Sequence, residues 1–305
     1  MNAVEAENLR KSFGTVKAVD DVSITIPEGG IFGFLGPNGA GKTTTIRMLT
    51  GVLTPDSGRV SVFGEDVHEN PIAAKLNMGV IPENGTVYSD LTAKQNILIT
   101  GKFYGMEKDP CEKRAEELLE RLGLTERQND LVRMFSKGMR QRISIACAIV
   151  HSPPLLVLDE PTTGLDVYSR RLVIDTVRHM NEGGSTVLIT THNIDEANAL
   201  CTDIGIINRG KIVATGSPEK LKKTFDTSRY VEVSFDRPVG GELFSAPGIT
   251  HAEQWGDKWR VYSGDPDLAV KHLAYVADRE KLSIVSIATS NPSLEEAFVK
   301  LTGGI

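Results

Sequence analysis

Gly36-Pro37-Asn38-Gly39-Ala40-Gly41-Lys42-Thr43 decides the fold. The spacing is GxxxxGK[ST], and the apolar run Ile31–Leu35 stands directly before it. That run reads as a buried strand, and a helix is predicted from near Gly41 to about Leu49. A strand, a Gly-rich turn and a helix N-terminus together form an anion site. The glycines let successive backbone N–H groups converge, and the helix end adds positive potential. Lys42 is expected to reach the β- and γ-phosphates of a nucleotide, and the Thr43 hydroxyl to ligate Mg²⁺.

Outward from this loop, strands alternate with helices. Residues 59–63, 78–81, 155–158 and 186–190 read as strands, with further strands near Ile204 and Ile212. Helices are expected over 167–180, 195–200 and 217–223. This alternation predicts a mainly parallel, helix-covered sheet. From about Ser89 to Phe135 the pattern is helical instead. Within it Asp109 is read as a helix cap with Pro110 at the first position, and Gly123 as the stop. Beyond Phe225 the signals shift again. Val231, Val233 and Phe235 alternate as on a strand, and Gly256-Asp257 reads as a hairpin turn flanked by Trp255 and Trp259, which are read as packing residues. A helix over 267–278 and a strand over 282–287 follow. A last helix over 294–301 carries a Ser293/Glu296 capping box. The expected architecture is α/β: a P-loop ATPase core with a mainly parallel sheet, a helical insert at about 88–135 and a β-rich N-terminal part. It spans 1–223, and a small C-terminal α+β domain spans 225–305.

Two carboxylates end the strand Leu155-Leu156-Val157-Leu158. Asp159 suits Mg²⁺, and Glu160 suits a general base that polarises the attacking water. Strands ending in solvated acids are common; the upstream phosphate loop is what favours chemistry here. His192 follows the strand at 186–190, at the edge where open α/β sheets bind ligands. Ser136-Lys137-Gly138-Met139-Arg140-Gln141-Arg142 opens a helix, and its N–H groups could hold a γ-phosphate. Alone, it reads as a Ser-capped helix with basic residues.

The order of phosphate loop, helical insert, Ser-Lys-Gly-Met-Arg-Gln, Asp159-Glu160 and His192 resembles the ABC transporter ATP-binding subunit. The resemblance covers about residues 3–223. It is closest over Gly36 to Thr44 and over Leu158-Asp159-Glu160-Pro161-Thr162-Thr163-Gly164-Leu165-Asp166. It implies ATP and Mg²⁺ as ligands, with Gly36, Pro37, Asn38, Gly39, Ala40, Gly41, Lys42, Thr43 and Thr44 on the phosphates. Phe13 would stack on adenine, where the family usually has Tyr. Catalysis would rest on Glu160, His192 and Lys42; Thr43, Asp159 and Glu83 would serve the metal. Ser136 and Gly138 match the ATP-facing positions of the family's Leu-Ser-Gly-Gly-Gln signature, whereas Phe135, Lys137 and Met139 replace Leu, Gly and Gln. Asp166 lies in the loop linking the two sites of a dimer. In Ile81-Pro82-Glu83-Asn84, Glu83 stands where the family has Gln, which brings an extra charge near the triphosphate. That departure, the signature and Asn291-Pro292-Ser293-Leu294-Glu295-Glu296 are similar to the ABC-2 type subgroup, which includes daunorubicin-resistance and sodium-efflux ATPases.

The resemblance further implies a head-to-tail dimer with a second copy, working with integral-membrane permease subunits, in export. The chain would be cytoplasmic and peripheral on the cytoplasmic face of the membrane. Composition agrees with a globular chain: 305 residues, 40% hydrophobic, 24% charged, net charge −6. That balance does not indicate nucleic acid as a partner. Cys111, Cys147 and Cys201 form no CxxC pair and read as reduced thiols. Residues 1–10 do not read as a signal peptide, and no apolar run reaches the ~20 residues needed for a span. Two alternatives stay open: a soluble ABC ATPase acting on DNA or the ribosome, and a nucleotide-dependent regulator that barely hydrolyses.

Overall fold

The computed structural model describes residues 1–83, 85, 87–224, 229–290 and 294–302. Asn84, Phe225 and the 291–293 stretch lie outside the described residues, and with them the capping box that needs Ser293 and the Glu296 side chain. The chain divides into two compact units, Met1–Pro218 and Glu219–Ile305.

The first unit opens with the antiparallel pair β1 (Asn2–Phe13) and β2 (Val16–Pro27), then β3 (Ile31–Leu35) and α1 (Lys42–Leu49). Next come β4 (Ser57–Val62), β5 (Glu65–Asp66), α2 (Pro71–Leu76) and β6 (Met78–Ile81). The helical insert holds α3 (Ala93–Phe103) and α4 (Lys108–Arg121), and leads to α5 (Lys137–Ile149). Then follow β7 (Leu155–Asp159), α6 (Val167–Glu182), β8 (Thr186–Thr191), α7 (Ile194–Leu200), β9 (Asp203–Asn208) and β10 (Lys211–Gly216). The short α8 (Pro218–Thr224) groups with the second unit from Glu219 on, so the division follows packing and falls a few residues before position 223.

The order of the main sheet is β10-β9-β3-β8-β7-β6. Strands β9, β3, β8, β7 and β6 run parallel, and β10 is an antiparallel edge. Every residue of β3, β7 and β8 is buried, as expected of strands covered on both faces. A second sheet, β2-β1-β4-β5, packs onto this core through Leu9, Val22, Ile24 and Val60 against Phe32, Phe34 and Ile46.

One reading of the insert needs correcting. Helix α4 begins at Lys108 after Glu107, so Asp109 is not its cap and Pro110 is its third residue. The first-turn N–H groups of a helix have no intrahelical partner, so a proline costs little anywhere in that turn. Gly123, at φ +63°, closes the helix, with Leu124 N–H donating to the Leu119 carbonyl at 2.8 Å.

The insert is pinned to the core by an aromatic pair. Tyr104, just after α3, stacks on His151 with ring centroids 3.5 Å apart. Tyr104 Oη and His151 Nε2 both reach the Met78 carbonyl of β6, at 3.3 and 3.2 Å. Burial pushes the His151 pKa down from 6.5 to about 4, with the Met78 bond opposing in part. The folded state therefore binds this proton less readily than the unfolded chain. The contribution of neutral His151 is fully present above pH 6.5 and is lost as pH falls toward 4. Denaturant melts across that range should show His151→Phe losing less stability than the wild type.

The second unit contains β11 (Tyr230–Phe235), β12 (Ile249–Trp255), β13 (Lys258–Ser263), α9 (Pro266–Arg279), β14 (Ile284–Ser290) and α10 (Leu294–Thr302). Its antiparallel sheet has the order β12-β13-β11-β14. Val231, Val233 and Val261 form a core with Phe244, Ala269 and Leu273. Gly256-Asp257 joins β12 to β13. Trp259 packs on Phe244, and the half-exposed Trp255 lies against the Arg260 guanidinium.

Candidate active site

Four parallel strands bring their carboxyl ends together. Leu35 of β3 pairs with Thr191 of β8, Thr190 with Asp159 of β7, and Leu158 with Ile81 of β6. The segments that leave these ends are the phosphate loop, His192, Glu160 and the Glu83 loop. Ligands bind at this edge in open α/β sheets.

The loop geometry requires glycine at two places. A Cβ at Gly36 would meet the Ile207 carbonyl oxygen at 2.5 Å. Gly41 has φ +111°, and a Cβ there would lie 2.5 Å from the Ala18 carbonyl oxygen. The loop can therefore lie tight against β9 and β2. Lys42, 6% exposed, donates from Nζ to the carbonyls of Gly36 at 2.7 Å and Pro37 at 3.3 Å. Its Nζ is 3.4 Å from Glu160 Oε1.

Glu160 is held from several sides. Its backbone sits at φ +51°, a left-handed conformation costing roughly 1 kcal/mol or more for a non-glycine residue. Its N–H donates to the Thr190 carbonyl at 3.2 Å and to Thr190 Oγ1 at 2.9 Å. Its Oε2 accepts from Thr163 Oγ1 at 3.0 Å and lies 2.7 Å from His192 Nδ1. A carboxylate only accepts, so His192 carries its proton on Nδ1 in this pair. Among the described residues Oε1 has no hydrogen-bond partner; it is buried and faces the Lys42 ammonium. Glu160 also lines the cavity beside the phosphate loop. Asp159, 2% exposed, accepts at Oδ1 from Thr190 Oγ1 at 2.6 Å.

Pro37, Asn38, Gly39, Lys42, Thr43, Glu83, Glu160, Thr163 and His192 line one cavity of about 240 Å³. A larger one beside it, about 600 Å³, takes in Phe13, Thr43, Thr44, Glu83 and Asp159. Phe13 ends β1 and is 53% exposed, with the Lys11 ammonium 6.0 Å over its ring. Thr43, Asp159 and Glu83 offer oxygen donors only, the set that suits Mg²⁺. Among the described residues no three His, Cys, Asp or Glu side chains cluster as a complete metal cage. Such a partial set fits Mg²⁺, which is usually held by one or two carboxylates with phosphate oxygens and water.

Of the anticipated residues, Ser136, Gly138 and Asp166 lie outside these cavities and away from the phosphate loop. Ser136 caps α5 by accepting from the Met139 N–H at 3.2 Å. A Cβ at Gly138 would meet Ser169 Oγ at 2.4 Å and Asp166 Oδ2 at 3.5 Å, so the signature packs on the Asp166 turn. Asp166 caps α6 through the Ser169 N–H and hydroxyl, at 2.8 and 2.9 Å, and those bonds hold its pKa below the usual carboxylate value. None of the three lines the cavities around Lys42.

Thr163 and Thr190 had no role in the sequence reading. The hydroxyl at the carboxyl end of the strand 186–190, one of two there with Thr186, was the available signal for Thr190. It is fully buried and serves Asp159 and Glu160 at once. Thr190→Val keeps the shape but strips Asp159 Oδ1 of its donor. The expected cost is about 1–3 kcal/mol of stability, with weaker Mg²⁺ dependence of turnover. Thermal melting and a Mg²⁺ titration of activity measure both.

Comparison with known proteins agrees with this geometry. A family model described as ABC transporter matches residues 19–163. The linearmycin resistance ATP-binding protein LnrL of Bacillus subtilis is 35% identical over 305 residues, covering 98% of each chain. The daunorubicin/doxorubicin resistance ATP-binding protein DrrA of Streptomyces peucetius is 37% identical, covering 99% of this chain and 92% of the relative. A dimeric post-hydrolysis structure of the ATP-binding cassette MJ0796, bound to ADP and phosphate, superposes with a TM-score of 0.65. Its identity is 25%, and the match covers 70% of this chain and 98% of that one.

Proposed function

The chain belongs to the ABC transporter ATP-binding family, and from that premise we propose that it drives an ABC-2 type exporter from the cytoplasmic face of a membrane. It binds and hydrolyses ATP. The observation that carries the mechanism is the clamp on Glu160, which Thr163, Thr190 and His192 orient while Lys42 stands 3.4 Å from its free oxygen.

In this reading Lys42 transfers its donors from the loop carbonyls to the phosphates, and the loop N–H groups hold the rest of the chain of oxygens. Glu160 polarises the attacking water and takes its proton. His192 keeps the carboxylate turned toward the cavity. Phe13 stacks on the base. Mg²⁺ on Thr43, Asp159 and Glu83 would neutralise charge on the phosphates. Ser136 and Gly138 line neither cavity of their own chain, which supports a head-to-tail pair in which they close over the ATP of a second copy. Closure would then require the γ-phosphate, and hydrolysis would release it.

Among the described residues no helix is long and apolar enough to cross a membrane. We therefore assign the membrane passage to separate permease subunits. The relatives named for resistance to linearmycin and to daunorubicin/doxorubicin support export as the direction. We assign residues 1–223 to the ATP-binding domain and 225–305 to an accessory domain. Affinity purification from native membranes tests the reading: an integral-membrane protein should co-purify. Recovery of soluble or ribosomal partners alone would overturn it.

A further inference from the structure

Glu196 stands in the first turn of α7, four positions after His192, and no step above uses it. Its side chain is 11% exposed. Oε2 accepts from two threonine hydroxyls, Thr162 Oγ1 at 2.8 Å and Thr191 Oγ1 at 3.4 Å, and both threonines are buried. Oε1 faces Arg170 of α6, with Nε at 3.5 Å, and has no hydrogen-bond partner among the described residues. The Glu196 N–H donates to Asn193 Oδ1 at 3.1 Å, and the Asn193 N–H to Thr191 Oγ1 at 2.9 Å. Burying a carboxylate carries a desolvation cost, offset here by the two hydroxyls and the guanidinium.

The two threonines flank the Glu160–His192 pair. Thr162 adjoins Thr163, whose hydroxyl donates to Glu160 Oε2, and Thr191 directly precedes His192, whose Nδ1 lies 2.7 Å from the same oxygen. His192 is 56% exposed, so little packing fixes its ring and its backbone anchor matters more. We propose that Glu196 is a positioning residue for hydrolysis. By tying the turn after Glu160 to the strand end before His192, it sets the contact between the two. The inference rests on the reading that Glu160 and His192 carry the chemistry. Glu196, Thr162 and Thr191 do not line the cavity around Lys42, so Glu196 acts on turnover and leaves the holding of nucleotide to the loop. A group that touches no reacting atom still sets the rate when it fixes the geometry of those that do.

Variants of the full chain test this, with ATP affinity read by calorimetry, kcat by phosphate release at saturating ATP, and folding by thermal melts. Glu196→Ala should lower kcat by roughly ten- to a hundredfold, the scale of a small displacement of reacting groups, and leave ATP affinity unchanged. Glu196→Gln should keep most of the turnover, because its amide oxygen still accepts from both hydroxyls. Thr162→Val should lower kcat by itself and add nothing in the Glu196→Ala background, where its bond is already gone. A purely structural role would lower the melting temperature, while kcat well below melting would stay at the wild-type value. That result, or a loss of affinity in step with kcat, would overturn the proposal. So would Glu196→Gln falling as far as Glu196→Ala, since the charge facing Arg170 would then be the active element. Should Glu196→Ala fail to fold, Thr162→Val is combined with Thr191→Val, and an unchanged kcat in that pair would likewise defeat the idea. Glu160→Gln turning over at the wild-type rate would instead defeat the assignment of the base.

Discussion

Glu160→Gln is expected to keep nucleotide binding while turnover falls by about 10²–10⁴-fold, the usual worth of a positioned general base. The substitution preserves size, and the remaining oxygen can still accept from Thr163 or His192, which lie 3.0 and 2.7 Å from Oε2. What it removes is the carboxylate, one oxygen of which faces Lys42 at 3.4 Å. In the proposed reading binding rests on the loop and on Lys42, so it should survive. With cleavage stopped, the ATP-closed dimer should accumulate. Steady-state phosphate release and size-exclusion chromatography with ATP read the two effects. Turnover at the wild-type rate would show that another group takes the proton.

Lys42→Ala should instead abolish tight binding. A charge-assisted hydrogen bond contributes about 1.5–3 kcal/mol, so affinity should fall by roughly 10- to 150-fold. The variant also leaves the buried Glu160 Oε1 without the ammonium it faces at 3.4 Å. That oxygen would then repel phosphate. Calorimetry with ATP measures the loss, and unchanged affinity would count against the loop as the phosphate site. The two variants separate holding the nucleotide from cleaving it.

The structure also explains which parts of the site were visible from the residues. The β3 strand and its loop are local: apolar run, glycines and helix start are contiguous, so their chemistry is written in one stretch. Asp159 and Glu160 were recognisable for the same reason, at the end of an apolar strand. Strands β1 and β2 were legible only as a β-rich part. Register irregularities and the positive φ angles of Asn8 and Asp21 break the alternation that marks a strand. Pro110 misled because its tolerance extends through the whole first turn of α4.

By itself the sequence determined the phosphate loop, the paired acids, the helical insert and the family, because each depends on neighbours along the chain. Only the tertiary structure decided what surrounds Glu160. The order β3-β8-β7-β6 sets Lys42, His192, Glu160 and Glu83 at one edge, although more than a hundred positions separate some of them. Thr190 became a site residue only because parallel pairing places it beside Asp159. Residues distant in the chain meet through sheet register, and the burial of three whole strands stabilises that register.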